Sequence, residues 1–188
     1  MIKYVMMVVG SLLFAGGSNA FAIEVAGVNV TDSATVGGQQ LKLNGAGVRT
    51  KFFMDIYIGA LYLNSKTQDA NAAIMAAGNK RVLMHFLYSE VSQEKLVAAW
   101  NEGFENNQSK ADMEKLQARL TAFNAMFATA VKGDEIVIDF VMNDTSVSIN
   151  GDNKGTIQGK DFQQALLKVW LGKKPADDDL KEGMLGED

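Results

Sequence analysis

GAGVRTKFFMDIYIGALYLN, residues 45–64, decides how the chain folds. The β-branched and aromatic residues from Met54 to Leu63 predict a strand with a core face. Arg49 to Phe53 reads as further strand, so the two segments form one bent strand. Gly45, Ala46 and Gly47 let the backbone turn or pass close to something. Between them and the core strand stands Arg49, and a cation beside a core strand needs a reason. One reading makes it an edge arginine paired with a surface acid such as Asp55. The other places Arg49 and Tyr57 in the wall of an apolar cleft, where a guanidinium fork and a phenol would together receive a carboxylate. Gly59 shares a face with Tyr57 and Leu61 and would leave room beside the phenol. Burying the arginine with no anion is costly, so the second reading demands a ligand or an internal acid. Residue types alone favour the first.

Outward from this stretch, Ile23–Val30 and Gln39–Leu43 are predicted strands, and 70–77 a short helix. Residues 81–88 read as a central strand covered on both faces. Two helices follow. Ser92 caps the first, on which Leu96, Trp100 and Phe104 recur every four residues. Ser109 caps the second, where Met113, Leu116, Leu120, Phe123 and Phe127 form a core seam and Gly133 marks the end. A strand over 135–142 carries Ile136, Ile138, Phe140 and Met142 on one face and Asp139 on the other, the solvent side. Asn143-Asp144 is the next turn, and a hairpin surrounds GDNK at 151–154. Helices over 162–171 and 180–185 close the chain. Strands, helices, strands, helices in this order describe an α+β fold with an antiparallel sheet and a helical layer, able to hold a cleft between them.

The first 22 residues read as a secretory signal. Lys3 is the basic end, 5–14 the short apolar stretch, and Ala20-Phe21-Ala22 the small-residue cleavage site. Cleavage after Ala22 would leave one domain, 23–188, in the periplasm or outside the cell, with no stable membrane span. The chain has 188 residues, a net charge of −4, no cysteine and one histidine. Disulfides therefore cannot hold the fold. Its three arginines, Arg49, Arg81 and Arg119, and the lack of a basic block speak against a nucleic-acid partner. A lone His85 on a face with Leu83 and Leu87 reads as a hydrogen-bonded wall residue, leaving little material for a catalytic triad or a histidine metal site. No phosphate-binding glycine loop is present, and GDNKG lacks the remaining ligands of a calcium loop. No cofactor or metal is expected.

GAGVRTKFFMDIYIGALYLN, RVLMHFLYSEVS, EKLVAAWNEGFENN and the tail FQQALLKVWLGKKPADDDLKEGMLG together resemble the chalcone isomerase-like proteins, in their bacterial secreted branch. The resemblance runs from about Leu41 to Gly186. It implies an open-faced β-sandwich, a large antiparallel sheet covered by helices with a ligand cleft between. Plant enzymes of the family cyclise chalcones, and non-catalytic relatives hold a fatty-acid carboxylate with an arginine and a tyrosine. Arg49 matches that arginine. Tyr57 matches the tyrosine of the fatty-acid binders, where the enzymes carry a threonine. The enzymes' catalytic tyrosine has no counterpart in ENNQSKADM, 105–113, and their late threonine falls near Lys168-Val169-Trp170. The resemblance thus implies a binding protein for a small amphipathic carboxylate such as a fatty acid. Arg49 and Tyr57 would hold its head, and Trp100, Phe104, Phe123, Met126 and Phe127 would line its tail. The alternatives are an intramolecular lyase acting on a chalcone or other enone, and a structural or interaction module with a closed cleft.

Overall fold

The computed structural model describes residues 22–187, so all of the expected signal except Ala22 lies outside the described residues. The core element is a seven-stranded antiparallel sheet. Its members are β3 (Ser33–Val36), β4 (Gln39–Lys51), β5 (Met54–Leu63), β6 (Lys80–Phe86), β9 (Glu135–Val141), β10 (Asp144–Ile149) and β11 (Asp152–Gln158). They run in the order β11-β10-β9-β6-β5-β4-β3, with β6 central. A separate hairpin, β1 (Ala22–Val25) and β2 (Val28–Thr31), covers one face, and a two-stranded ladder, β7 (Glu90–Val91) with β8 (Ala130–Val131), closes one end. The other face carries α1 (Ala70–Met75), α2 (Gln93–Asn107), α3 (Lys110–Asn124), α4 (Lys160–Leu171) and α5 (Asp178–Leu185).

Two hydrophobic clusters follow from this layering. Tyr57, Leu61, Val82, Met84 and Phe86 face the helices and pack with Trp100, Phe123, Leu166 and Trp170. Ile58, Ala60 and Tyr62, alternating with them on β5, pack with Val30, Leu41 and Leu43 beneath the N-terminal hairpin. Both faces of β5 are therefore buried, which is why its sequence runs apolar almost without interruption. Ser92 and Ser109 cap α2 and α3 as the sequence predicts, accepting from Lys95 N at 3.4 Å and Asp112 N at 3.2 Å.

The structure departs from the sequence reading at the turns. The stretch read as one strand over Ile23–Val30 is a hairpin, because Ala26 and Gly27 take positive φ (47° and 78°). Gln39–Leu43 and the segment holding Arg49 are one strand, β4. The bent strand read across 49–63 is instead a hairpin, whose two loop residues, Phe52 and Phe53, take φ of 51° and 66°. Positive φ at both loop positions matches the twist of the flanking strands, a role usually filled by Asn-Gly. After the second helix the chain leaves at Asn124, and β8 forms before Gly133. Met142 belongs to the next turn, with φ 54° and 87% exposure, rather than to the inner face. Asp139 sits on the outer face as read, half-buried and bound in a bidentate pair to Arg81 at 2.6 and 2.7 Å.

The glycines of the opening stretch serve helix α5. An added Cβ at Gly47 would lie 3.1 Å from Leu180 O and 3.3 Å from Gly183 Cα. Gly59 leaves no room for a ligand, because Leu180 Cδ1 and Met184 Sδ fill it, 2.9 and 3.4 Å from where a Cβ would stand. Between Leu43 and Gly45 the β4–β5 register shifts, and the intervening Asn44 is buried. Its side chain donates to Met184 O (2.8 Å) and Thr67 O (3.0 Å) and accepts from Thr67 N (2.7 Å). A bulge thus re-aims one amide to lock the C-terminal helix onto the sheet.

Candidate functional site

Arg49 and Tyr57 are direct register partners on β4 and β5, so both side chains leave the sheet on the face covered by helices. The Arg49 guanidinium carbon stands 5.7 Å from the centre of the Tyr57 ring, within cation–π reach. Tyr57 is 4% exposed. Its oxygen accepts a hydrogen bond from Trp170 Nε1 at 3.1 Å, which leaves the phenolic hydrogen as a donor. Burial pushes the phenol pKa up, against the opposing pull of the Arg49 charge and the Trp170 bond. Tyr57 is therefore a neutral donor at physiological pH.

Arg49 is half-buried, and its Nε is buried with no hydrogen-bond partner. No carboxylate of the described residues lies within 4 Å of it. The surface pairing with Asp55 does not form; Asp55 accepts from Thr50 Oγ1 at 3.2 Å instead. Trp100 Nε1 is a second buried donor with no acceptor. Buried polar groups are rarely left unpaired, and each such group costs about 1–3 kcal/mol. At the cavities beside Arg49 the unpaired buried atom is a donor, Arg49 Nε; Trp100 lines neither cavity.

Arg49 lines two cavities. One, of about 320 Å³, has apolar lining from buried Ile56, partly buried Tyr88, Val91 and Ala99, and exposed Ala98, together with Phe52 and Met54 of the β4–β5 turn. The other, of about 200 Å³, lies under the segment Lys174-Pro175-Ala176 that leads from α4 to α5. That segment is strapped down by Ala176 N to Val169 O (2.8 Å) and by Asp177, which caps α5 through Leu180 N (2.9 Å) and accepts from Thr50 N (3.0 Å). Glu102 borders both cavities, beyond ion-pair distance of Arg49.

Of the residues expected to line a tail, Trp100, Phe104, Phe123 and Phe127 form a closed aromatic core. The Trp100 ring is 5.4 Å from Phe123, 5.3 Å from Phe127 and 5.5 Å from Trp170, and Phe104 meets Phe162 at 5.4 Å. Met126 is partly buried and packs over Gly155 of β11. None of these five lines either cavity at Arg49. His85, opposite Ile58 in register, is on the other face of the sheet, with Nδ1 3.1 Å from Glu135 Oε1. Among the described residues no group of three His, Asp or Glu side chains could hold a metal ion. No described helix is long and apolar enough to cross a membrane.

Trp170 is the site residue that sequence reasoning missed. Phe162, Leu166 and Trp170 recur at steps of four on α4, and an indole buried in such a stripe needs an acceptor for its N–H. Trp170→Phe removes the N–H and leaves a small cavity in the core, so it should cost about 2–3 kcal/mol of stability, read as a lowered urea midpoint.

Compared with known proteins, residues 22–186 match the family profile described as chalcone isomerase-like. A search of curated protein sequences returned no match. Among solved structures, the chain is similar to a fatty-acid binding protein of Arabidopsis thaliana, with a TM-score of 0.67 and 14% identity. The similarity covers 89% of this chain and 96% of that one.

Proposed function

The chain belongs to the chalcone isomerase-like family, and from that premise and the geometry at Arg49 we propose a non-catalytic binding protein for a small amphipathic carboxylate, most simply a fatty acid. One observation carries the reading: Arg49 lies half-buried at a mainly apolar cavity, with no acid of the described residues in ion-pair range, beside a neutral Tyr57 that has a hydrogen to give. A carboxylate there would take charge-assisted bonds from the guanidinium and one from the phenol. The similarity to a fatty-acid binding protein supports the acyl chain as the apolar part.

The tail would run over Ile56, Tyr88, Val91, Ala98 and Ala99. At about 320 Å³ the cavity sits at the low end of ligand pockets, which span roughly 300–1,000 Å³. Each methylene buried should strengthen binding by about 0.8 kcal/mol until the cavity is full. Longer chains would have to part the aromatic core, and only then would Trp100, Phe104, Phe123, Met126 and Phe127 touch the tail.

The chemistry of cyclisation is poorly served. An enolate formed beside Arg49 would meet the guanidinium and the Tyr57 hydroxyl, but ENNQSKADM, 105–113, offers no counterpart of the family's catalytic tyrosine. The N-terminal segment supports export, with cleavage after Ala22, and sequencing the mature N-terminus tests that. Native mass spectrometry of protein purified from its own compartment tests the binding reading. A co-purifying acyl acid is expected. Its absence together with Arg49-dependent turnover of a chalcone would favour the lyase instead.

Binding should be insensitive to pH from about 6 to 10, because the ligand is ionised and Tyr57 is protonated throughout. The raised phenol pKa also has a stability sign. The folded state holds this proton more tightly than the unfolded chain does, so the contribution is complete below about pH 10 and is lost as pH rises through the folded value. Tyr62, raised mainly by burial too, adds to the same alkaline loss. Tyr57→Phe should reduce that loss in denaturation curves taken above about pH 10.

A further inference from the structure

The β4–β5 turn presents two adjacent phenylalanines to solvent, Phe52 at 78% and Phe53 at 103% exposure, followed by Met54 at 39%. Both rings sit on backbone with positive φ, where a bulky side chain is an outlier and Asn or Gly would be relaxed. Folding explains neither choice: the turn geometry disfavours phenylalanine, and among the described residues the Phe53 ring is fully exposed. The turn is also the rim of the Arg49 cavity, which Phe52 and Met54 line while Phe53 points clear of it. Of the charged residues lining that cavity, three are basic (Arg49, Lys51, Lys95) and two acidic (Glu90, Glu102), in a chain that is acidic as a whole. Lys51 reaches back over the Phe52 ring, its Nζ 5.9 Å from the centre. At the same end of the sheet Val131 of β8 is exposed as well.

We propose that the Phe52-Phe53 turn is a lipid-surface anchor, which dips its rings among the acyl chains of a bilayer. Lys51 would lie at headgroup level, and the mouth of the Arg49 cavity would face the membrane. Paired apolar rings with a lysine behind them suit an anionic bilayer interface, where the rings leave water and the ammonium stays in it. A soluble amphipathic ligand would need no such anchor; a lipid-derived one would exchange through it. The last step rests on the binding role proposed above, but attachment to lipid does not.

Ligand-free protein mixed with vesicles of equal parts phosphatidylethanolamine and phosphatidylglycerol, then floated, tests the anchor. Wild type should float with the vesicles, and Phe53→Asn should lower the bound fraction by about tenfold in partition coefficient. The same substitution relaxes the turn and should raise the melting temperature by about 2–4 °C, so lost flotation could not be assigned to misfolding. Phe53 is outside the cavity, so fatty-acid affinity measured in vesicle-free buffer should not change. Three results would overturn the anchor: wild type that stays in the unbound fraction, Phe53→Asn that floats like wild type, or a wild-type dimer in buffer that Phe53→Asn dissolves, since the rings would then cover a second copy. A protein that floats but binds no fatty acid would keep the anchor and refute the ligand assignment.

Discussion

Gly45→Ala is expected to unfold the protein or to cost more than about 3 kcal/mol, the far end of what overpacking does. A methyl group at this position would fall inside contact distance of the Gly183 carbonyl oxygen, 2.7 Å from Gly186 N and 3.0 Å from Met184 O. All three are backbone atoms, so no side-chain rotation relieves the clash. Helix α5 would have to lift from β4. Gly183→Ala attacks the same contact from the helix side, its Cβ standing 2.7 Å from Gly47 Cα and 2.8 Å from Ala46 O. Urea denaturation should show both midpoints strongly lowered. Limited proteolysis should cut Gly183→Ala first within residues 178–185. The consequence for function is direct, because Asp177 caps α5 and also holds Thr50, the neighbour of Arg49.

Arg49→Ala is expected to separate binding from stability. A carboxylate that loses a buried, hydrogen-bonded cationic partner forfeits about 2–5 kcal/mol, so fatty-acid affinity should fall by roughly thirtyfold to several thousandfold. The ligand-free protein should lose little stability, measured side by side with wild type in urea. Among the described residues Arg49 makes no ion pair, and its substitution removes a buried Nε that has no acceptor there, although the ring contact with Tyr57 goes too. A purely structural arginine would give the opposite pattern, a large stability loss with affinity unchanged. Calorimetric titration with dodecanoate, alongside the urea curves, distinguishes the two.

The element types of the sheet and its helices were largely legible in the sequence, because periodicity and caps speak locally. The stripe on α2 and the seam on α3 both face the core as their spacing predicts. The turns were less legible. Phe52 and Phe53 carry no turn signal, since aromatic residues seldom take positive φ, so a hairpin was read as a bent strand. At Asn44 the obstacle was distance along the chain: its partner Met184 lies 140 residues away. The opening glycines read as either a turn or a close approach; they lie within β4 and take the second role, against the DLKEGMLG segment, so the two most distinctive stretches of the sequence pack against each other. Residue types favoured a surface role for Arg49; the resemblance pointed inward, and Asp55 is indeed engaged elsewhere. The Tyr57–Trp170 bond could not be read, because it joins strand and helix through a packing geometry that neither element's pattern contains.

The most direct test of a carboxylate site at Arg49 and Tyr57 is a paired titration of wild-type protein with dodecanoate and with its methyl ester. The acyl chain is the same in both, so burial of the tail cancels and only the head group differs. The acid should bind more tightly by at least about thirtyfold, the low end of a charge-assisted pair. Equal affinities would contradict the account, because the site would then read the chain and ignore the charge.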